Sequence, residues 1–201
     1  VIVVVVSAGR GVGHGQEVEV GSALRKLAGA RSNPHRRSPR RIPGPRVTRR
    51  GWRECAYARR SLDNVRVFDL DPGDDVTMSQ LCEVACAVRD LMDDIGLVVY
   101  PLTSGSKGLH LYAPLGDPVR SKSAVVLARR VAQQLEQSMP KLVTATMTKS
   151  LRAGKVFLDW SQNNGSKTTI APYSLRGRER PTVAAPRTWD EIGDPGLRHL
   201  E

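Results

Sequence analysis

The chain of 201 residues has only three cysteines, Cys55, Cys82 and Cys86, and no long apolar run. Cys82 and Cys86 lie four residues apart on a predicted helix, and without a further cysteine or a nearby histidine they form no zinc site. This pattern favours reduced thiols in a cytoplasmic protein. The run Val1–Val6 is too short to span a membrane and lacks the positively charged start of a secretion signal, so we expect no membrane partner. The glycines that follow it, within 9–15, do not satisfy the G-x-G-x-x-G spacing of a dinucleotide-binding turn in any register.

Acidic residues are scarce in the first part of the chain: residues 1–62 hold 3 Asp+Glu against 14 Lys+Arg, 13 of them Arg. Residues 63–201 hold 17 Lys+Arg and 17 Asp+Glu, so the whole formal net charge of +11 comes from residues 1–62. Arg31–Arg60 shows neither a helical nor an alternating apolar period. We therefore predict a folded domain over 63–201. For 1–62 two interpretations stay open: a disordered basic arm that attracts phosphates, or a mistranslated start of a GC-rich coding sequence.

Two aspartates end an apolar stretch in Val67-Phe68-Asp69-Leu70-Asp71-Pro72-Gly73. Alternate side chains of a β-strand share a face, so Asp69 and Asp71 project together while Leu70 points into the core. Two carboxylates this close repel each other unless a divalent cation lies between them, and oxygen ligands favour Mg²⁺ or Mn²⁺ over Zn²⁺. By itself the Asp-x-Asp pattern is also typical of a solvated turn.

A third aspartate, Asp159, follows the apolar run Val156-Phe157-Leu158. We expect it to complete the site from a neighbouring strand, because three carboxylates around two metal ions about 3.5–4 Å apart can activate a 3′-hydroxyl and stabilise a leaving pyrophosphate. The dipeptide Asn164-Gly165 predicts a hairpin that joins residues 155–160 to residues 167–171 and presents Asp159.

A Gly/Ser/Lys/His segment, 103–110, separates two predicted strands. Its glycines let backbone N–H groups approach an anion, and Lys107 adds a positive charge. His110 lies on the strand that follows and could donate to a phosphate oxygen, although a histidine buried in the core is the alternative for that residue alone. The segment therefore predicts a phosphate-binding loop beside the carboxylates.

Helices are predicted around these strands, which gives an α/β fold. Thr77-Met78-Ser79-Gln80 is a capping box, and apolar residues at helical spacing carry its helix to about Asp94. A second helix is expected over 121–139, and the capping box at Thr188 starts a short terminal helix.

Five segments in order, 68–73, 103–110, 148–156, 159–163 and 171–176, resemble the polymerase domain of bacterial ligase D, a branch of the archaeo-eukaryotic primase superfamily. The resemblance runs from about residue 65 to the C-terminus, and residues 1–62 do not share it. It implies a mixed-sheet primase-polymerase catalytic core, truncated on its N-terminal side. The family's additional strands, its pocket for a DNA 5′-phosphate and its aromatic-rich surface are not recognisable in residues 1–62.

The resemblance also implies roles for individual residues. The metal ligands of the family's catalytic triad match Asp69, Asp71 and Asp159. Positions that contact the incoming nucleotide match Ser104, Lys107 and His110 at the triphosphate, Arg152 and Arg176 as basic contacts, and Gln162 near the sugar.

The implied activity is metal-dependent addition of NTP or dNTP to DNA ends in non-homologous end joining, with two Mn²⁺ or Mg²⁺ ions as cofactors. The implied partners are DNA ends, nucleoside triphosphates, Ku and an ATP-dependent DNA ligase, in a cytoplasmic, nucleoid-associated location. Two alternatives stay open: a stand-alone primase-polymerase, and a catalytically silent fragment that binds DNA or a ligase.

Overall fold

The computed structural model describes residues 65–114, 121–164 and 166–201. The predicted Arg-rich segment 1–62 and its boundary lie outside the described residues, as do Cys55 and Gly165.

A six-stranded mixed sheet forms the centre of the described part, in the order β4-β5-β1-β3-β2-β8. The eight strands are β1 (Val65–Pro72), β2 (Tyr100–Thr103), β3 (Leu109–Pro114), β4 (Val143–Thr144), β5 (Val156–Asp159), β6 (Leu175–Arg176), β7 (Thr182–Val183) and β8 (Ala185–Pro186). Within the sheet the β4–β5 pair is parallel and the other pairs are antiparallel. Strands β6 and β7 form a separate two-stranded ribbon. The predicted α/β class with a mixed sheet is confirmed.

The helices begin where the capping boxes predict. Helix α1 (Met78–Asp94) starts after Thr77, whose side chain accepts from the backbone of Gln80. Helix α2 spans Ser121–Ser138, and the short helix α3 (Trp189–Ile192) follows the second capping box. Two 3-10 helices, Lys149–Leu151 and Trp160–Asn163, flank β5. Among the described helices, none has the length and apolar character that crossing a membrane requires.

The main hydrophobic core lies between one face of the sheet and helices α1 and α2. Leu70 of β1 and Leu111 of β3 are fully buried there, against Val88 of α1 and Val131 of α2. Burying a side chain of this size stabilises a fold by about 1.5–3 kcal/mol. Because strand side chains alternate, this packing directs the neighbouring residues of β1 and β3 to the opposite face of the sheet.

The predicted hairpin after β5 is wrong. The chain enters the 3-10 helix Trp160–Asn163 instead, and no strand is assigned to the described residues 166–171. Strand β5 lies between β1 and β4, so both of its edges are already paired and neither can accept a hairpin partner. The side chain of Asn163 then fixes the 3-10 helix to the sheet through two hydrogen bonds to the backbone of Val67, of 2.9 and 2.8 Å.

Both described cysteines are free thiols on α1. Burial raises the pKa of Cys82 to about 11, and burial also raises the pKa of Cys86. These thiols are therefore protonated at neutral pH and are poor nucleophiles and poor metal ligands.

Candidate active site

A row of three polar side chains crosses the sheet on the face opposite the helices. Asp69 of β1 is the direct cross-strand partner of His110 on β3 and of Asp159 on β5. Direct partners in an antiparallel pair share a face and lie about 4.5–5.5 Å apart. The register therefore brings together three residues that are distant in sequence, and Asp71 follows two residues along β1 on the same face.

The two aspartates of β1 differ in their surroundings. Nε2 of His110 lies 3.3 Å from Oδ1 of Asp69. Asp69 Oδ1 and His110 Nδ1 are buried, and neither makes a hydrogen bond in the described part of the chain. Burial raises the pKa of Asp71 to about 6, with a further contribution from the charge of Asp69. This end of β1 therefore concentrates negative charge, which His110 and Arg152 offset only in part.

The third aspartate is held by protein donors. Asp159 Oδ1 accepts from the backbone N–H of Ser161 at 2.9 Å and from the Ser161 hydroxyl. Asp159 Oδ2 accepts from the ammonium of Lys167 at 2.9 Å. Burial by itself would raise the pKa of Asp159, but the hydrogen bonds from Ser161 and Lys167 together lower it. Asp159 is therefore ionised and already paired.

These residues fit a divalent cation in part. Asp69 and Asp71 supply oxygen ligands, the buried Oδ1 of Asp69 accepts no hydrogen bond in the described part of the chain, and burial and the charge of Asp69 raise the pKa of Asp71. The described residues nevertheless contain no group of three or more His, Cys, Asp or Glu side chains close enough to hold one ion. Asp159 instead contacts Ser161 and Lys167 through its two oxygens.

The loop between β2 and β3 lies beside the carboxylates because its glycines allow close packing. A Cβ at Gly108 would lie 2.3 Å from the backbone oxygen of Leu70, the residue between the two aspartates of β1. Gly105 has a φ of +67°, and a Cβ there would lie 2.9 Å from the backbone carbon of Val183. The loop is thus fixed between β1 and the ribbon, and larger residues at these two positions would displace it.

The β6–β7 ribbon holds this loop through hydrogen bonds. The Nε of Arg176 donates to the Ser104 carbonyl at 3.1 Å, and Arg178 and Thr182 donate to Ser106 and to the Gly105 carbonyl. Ser104 is buried, while Lys107 is exposed. The loop therefore has a base fixed by hydrogen bonds and an exposed cationic side chain, which suits the capture of an anion.

Comparison with known proteins identifies the family of the chain. The sequence model of a family described as "LigD, primase-polymerase domain" matches residues 50–200. The chain belongs to the LigD primase-polymerase family. The match begins at residue 50, upstream of the boundary that we predicted near residue 62.

Individual members of the LigD family are close in sequence. The chain is 80% identical over 134 residues to "Multifunctional non-homologous end joining protein LigD" of Mycolicibacterium smegmatis, covering 67% of this chain and 18% of that protein. It is 76% identical over 134 residues to the LigD protein of Mycobacterium tuberculosis H37Rv, with the same coverage. The chain therefore spans about a fifth of the length of these curated relatives.

A solved structure shares the fold. "Polymerase Domain from Mycobacterium tuberculosis Ligase D in complex with DNA" matches with a TM-score of 0.67 at 74% identity, covering 69% of this chain and 48% of that chain. The resemblance to the ligase D polymerase domain predicted from the sequence motifs is thereby confirmed.

Two further residues to which the resemblance gives a role, Arg152 and Gln162, lie on either side of β5 in the chain. The guanidinium carbon of Arg152 lies 3.5 Å from the ring centroid of Phe157, which is the cross-strand partner of Asp71. Arg152 lowers the pKa of Asp71, although burial outweighs it. Gln162 donates to the Thr168 carbonyl at 2.6 Å, so its amide holds the segment after the 3-10 helix.

Sequence reasoning missed three residues of this site: Ser161, Lys167 and Arg178. Arg178 lies in the bend after β6, where its N–H donates to the Arg176 carbonyl at 3.0 Å, and no alternating pattern indicates its contact. Lys167 and Ser161 follow from the 3-10 turn, which the sequence did not indicate.

Replacing Asp71 with asparagine should stabilise the metal-free protein above pH 6. The folded pKa of about 6 exceeds the ordinary 3.8. Below about pH 4 the Asp71 carboxyl group is protonated in both the folded and the unfolded protein. As the pH rises from about 4 to about 6, the unfolded protein releases this proton first, so the wild type loses stability. We expect the variant to melt about 2–4 °C higher than the wild type at pH 7.5, allowing for solvent screening, with the difference vanishing near pH 4. Thermal unfolding at both pH values checks this, and a difference independent of pH would contradict it.

Proposed function

We propose that this chain carries the nucleotidyl-transfer site of a DNA-repair primase-polymerase that adds NTP or dNTP to DNA ends in non-homologous end joining. The observation that carries the proposal is the cross-strand row of Asp159, Asp69 and His110, with Asp71 beside it and the glycine loop packed on Leu70. Membership of the LigD family supports the reaction class.

Asp69 and Asp71, joined by Asp159, are the proposed ligands of two Mn²⁺ or Mg²⁺ ions. Bound ions of this kind activate a 3′-hydroxyl and stabilise the leaving pyrophosphate. The hydrophobic core behind Leu70 fixes the strand that carries Asp69 and Asp71. Rigid placement on a strand matters because small errors in the position of reacting groups cost large factors in rate.

The loop and ribbon are the proposed triphosphate site. Lys107 supplies an exposed ammonium, and the guanidinium of Arg176 retains free N–H groups after donating one to Ser104. His110 keeps a buried Nδ1 without a partner among the described residues. Arg152, held over Phe157, supplies positive charge near Asp71. Gln162 is proposed to lie near the nucleotide sugar, with its backbone position set by the 3-10 helix.

DNA ends are the proposed polymeric substrate, because the solved relative is described as a complex with DNA. Ku and an ATP-dependent DNA ligase are proposed partners, since the matching relatives are named as end-joining proteins. We place the protein in the cytoplasm at the nucleoid, where these partners and DNA ends meet.

Replacing Lys107 with alanine should weaken nucleoside triphosphate binding about 10- to 100-fold, the range for one charge-assisted hydrogen bond. Mn²⁺ binding without nucleotide should stay unchanged, because Lys107 is exposed and contacts none of the three aspartates. Calorimetry with Mn²⁺ alone and then with ATP separates the two effects. Lys122→Ala, an exposed lysine on α2, is the matched control. Equal loss of metal and nucleotide binding in Lys107→Ala would mean that the loop is structural.

A second candidate function is a catalytically silent domain that binds DNA or a ligase. It is favoured by the extent of the structural match, which covers only 48% of the solved polymerase domain chain. A stand-alone primase-polymerase uses the same site and differs only in its partners. Primer extension by the 201-residue chain distinguishes the silent domain from both enzymes.

A further inference from the structure

We propose that Lys167 is the resident cation of this site: its ammonium neutralises Asp159 in the metal-free protein, and a divalent ion must displace it to bind there. The proposal rests on the proposed function, since it concerns the same carboxylates. The observation behind it is the salt bridge of 2.9 Å between Lys167 Nζ and Asp159 Oδ2.

The contacts of Lys167 are those of a bound cation. Its Nζ lies 2.9 Å from Asp159 Oδ2 and 2.6 Å from the Ser161 hydroxyl oxygen. Ser161 in turn donates to the other oxygen of Asp159. An ammonium that contacts a carboxylate oxygen and a hydroxyl oxygen lies beside the kind of oxygen ligands that Mn²⁺ and Mg²⁺ also select.

Lys167 also relieves a local excess of negative charge. Among the described residues, it is the one lysine or arginine whose side chain forms a salt bridge with Asp69, Asp71 or Asp159. Asp159 lies directly across from Asp69, whose buried oxygen has no hydrogen-bond donor in the described part. Like charges this close destabilise the sheet unless a cation is near, so the metal-free protein needs Lys167 in place.

The same geometry makes Lys167 and a metal ion compete. The ammonium of Lys167 lies 2.9 Å from Asp159 Oδ2, so a divalent ion that bonds the same oxygen would lie close to a second positive charge and repel it. The Asp159 side chain is 11% exposed, whereas that of Lys167 is 38% exposed, so the lysine can swing towards solvent while the carboxylate stays fixed. A flexible four-carbon stem and a strongly hydrated ammonium suit this exchange.

The backbone near Lys167 does not have to move. Its N–H donates to the Asn164 carbonyl at 2.9 Å, and Gln162 holds the next two residues through the Thr168 carbonyl and the Thr169 hydroxyl. Only the side chain therefore needs to leave, and the segment that positions it remains attached to the 3-10 helix.

The test is Mn²⁺ binding by the nucleotide-free 201-residue chain, followed through the electron paramagnetic resonance signal of free Mn²⁺. Lys167→Met removes the ammonium and keeps an unbranched side chain only one atom shorter, and Lys122→Met is the control with the same change in net charge. We expect Lys167→Met to bind Mn²⁺ about three- to tenfold more tightly, as expected for loss of a partly exposed ion pair, and Lys122→Met to match the wild type. Lys167→Arg should not gain affinity. If Lys167→Met does not fold, Lys167→Gln gives the same comparison.

A double-mutant cycle shows whether the effect passes through Asp159. In an Asp159→Asn background, Lys167→Met should give no gain in Mn²⁺ affinity, because the carboxylate for which Lys167 and Mn²⁺ compete is absent. Unchanged or weaker binding in Lys167→Met, with Mn²⁺ still binding the wild type, would overturn this proposal and leave the proposed function intact. Failure of every variant and of the wild type to bind Mn²⁺ would overturn both.

Discussion

Replacing Asp71 with alanine should weaken Mn²⁺ binding by more than about 100-fold, because loss of partners outside the ligand set already costs about 10–100-fold. Asp71 carries a pKa of about 6 because of burial and the charge of Asp69, so it gains most from a cation between the two carboxylates. Calorimetry with Mn²⁺, with and without a nucleoside triphosphate, measures the loss. Asp74→Ala, in the exposed turn after β1, removes the same charge and should bind Mn²⁺ as the wild type does. Unchanged binding in Asp71→Ala would remove this residue from the site.

The 201-residue chain should extend a primed DNA end at least about 100-fold more slowly than the Mycobacterium tuberculosis polymerase domain. The similarity covers 48% of that chain, and the family resemblance assigns the DNA 5′-phosphate pocket to upstream sequence. Scattered arginine contacts raise the affinity for DNA without fixing the position of the primer end in the site. Misplacing a reacting group by about 1 Å can lower the reaction rate about 100-fold.

Primer extension with Mn²⁺ and labelled ends measures this deficit. Fusing the upstream region of the Mycobacterium tuberculosis relative to residues 65–201 should raise extension sharply, while the same fusion carrying Asp159→Ala should stay inactive. Fast Mn²⁺-dependent extension by the 201-residue chain itself would contradict the prediction and would show that its own upstream residues position DNA.

Much of the scaffold could be predicted from local sequence patterns. Alternation of Asp69, Leu70 and Asp71 predicted one strand with two carboxylates on a common face, and the structure confirms the strand and the buried leucine. The capping boxes at Thr77 and Thr188 predicted the starts of α1 and α3. These features succeed because each depends on hydrogen bonds or burial within a few residues.

Cross-strand relations could not be predicted in the same way. The row of His110, Asp69 and Asp159 depends on a register set by the whole sheet, and the hairpin prediction failed because β4 already occupies the second edge of β5. The contact of Lys167 with Asp159 depends on a 3-10 turn that Asp159 itself caps. A contact of this kind cannot be predicted from a local pattern of apolar residues.

Anomalous diffraction at the manganese edge, from crystals grown with MnCl₂ and a non-hydrolysable nucleoside triphosphate, tests the metal site most directly. We expect two manganese peaks bounded by Asp69, Asp71 and Asp159, with the triphosphate against Ser104 and Lys107 and with Lys167 no longer on Asp159. Density for the triphosphate without manganese at these carboxylates would contradict the assignment of this sheet face as the nucleotidyl-transfer site.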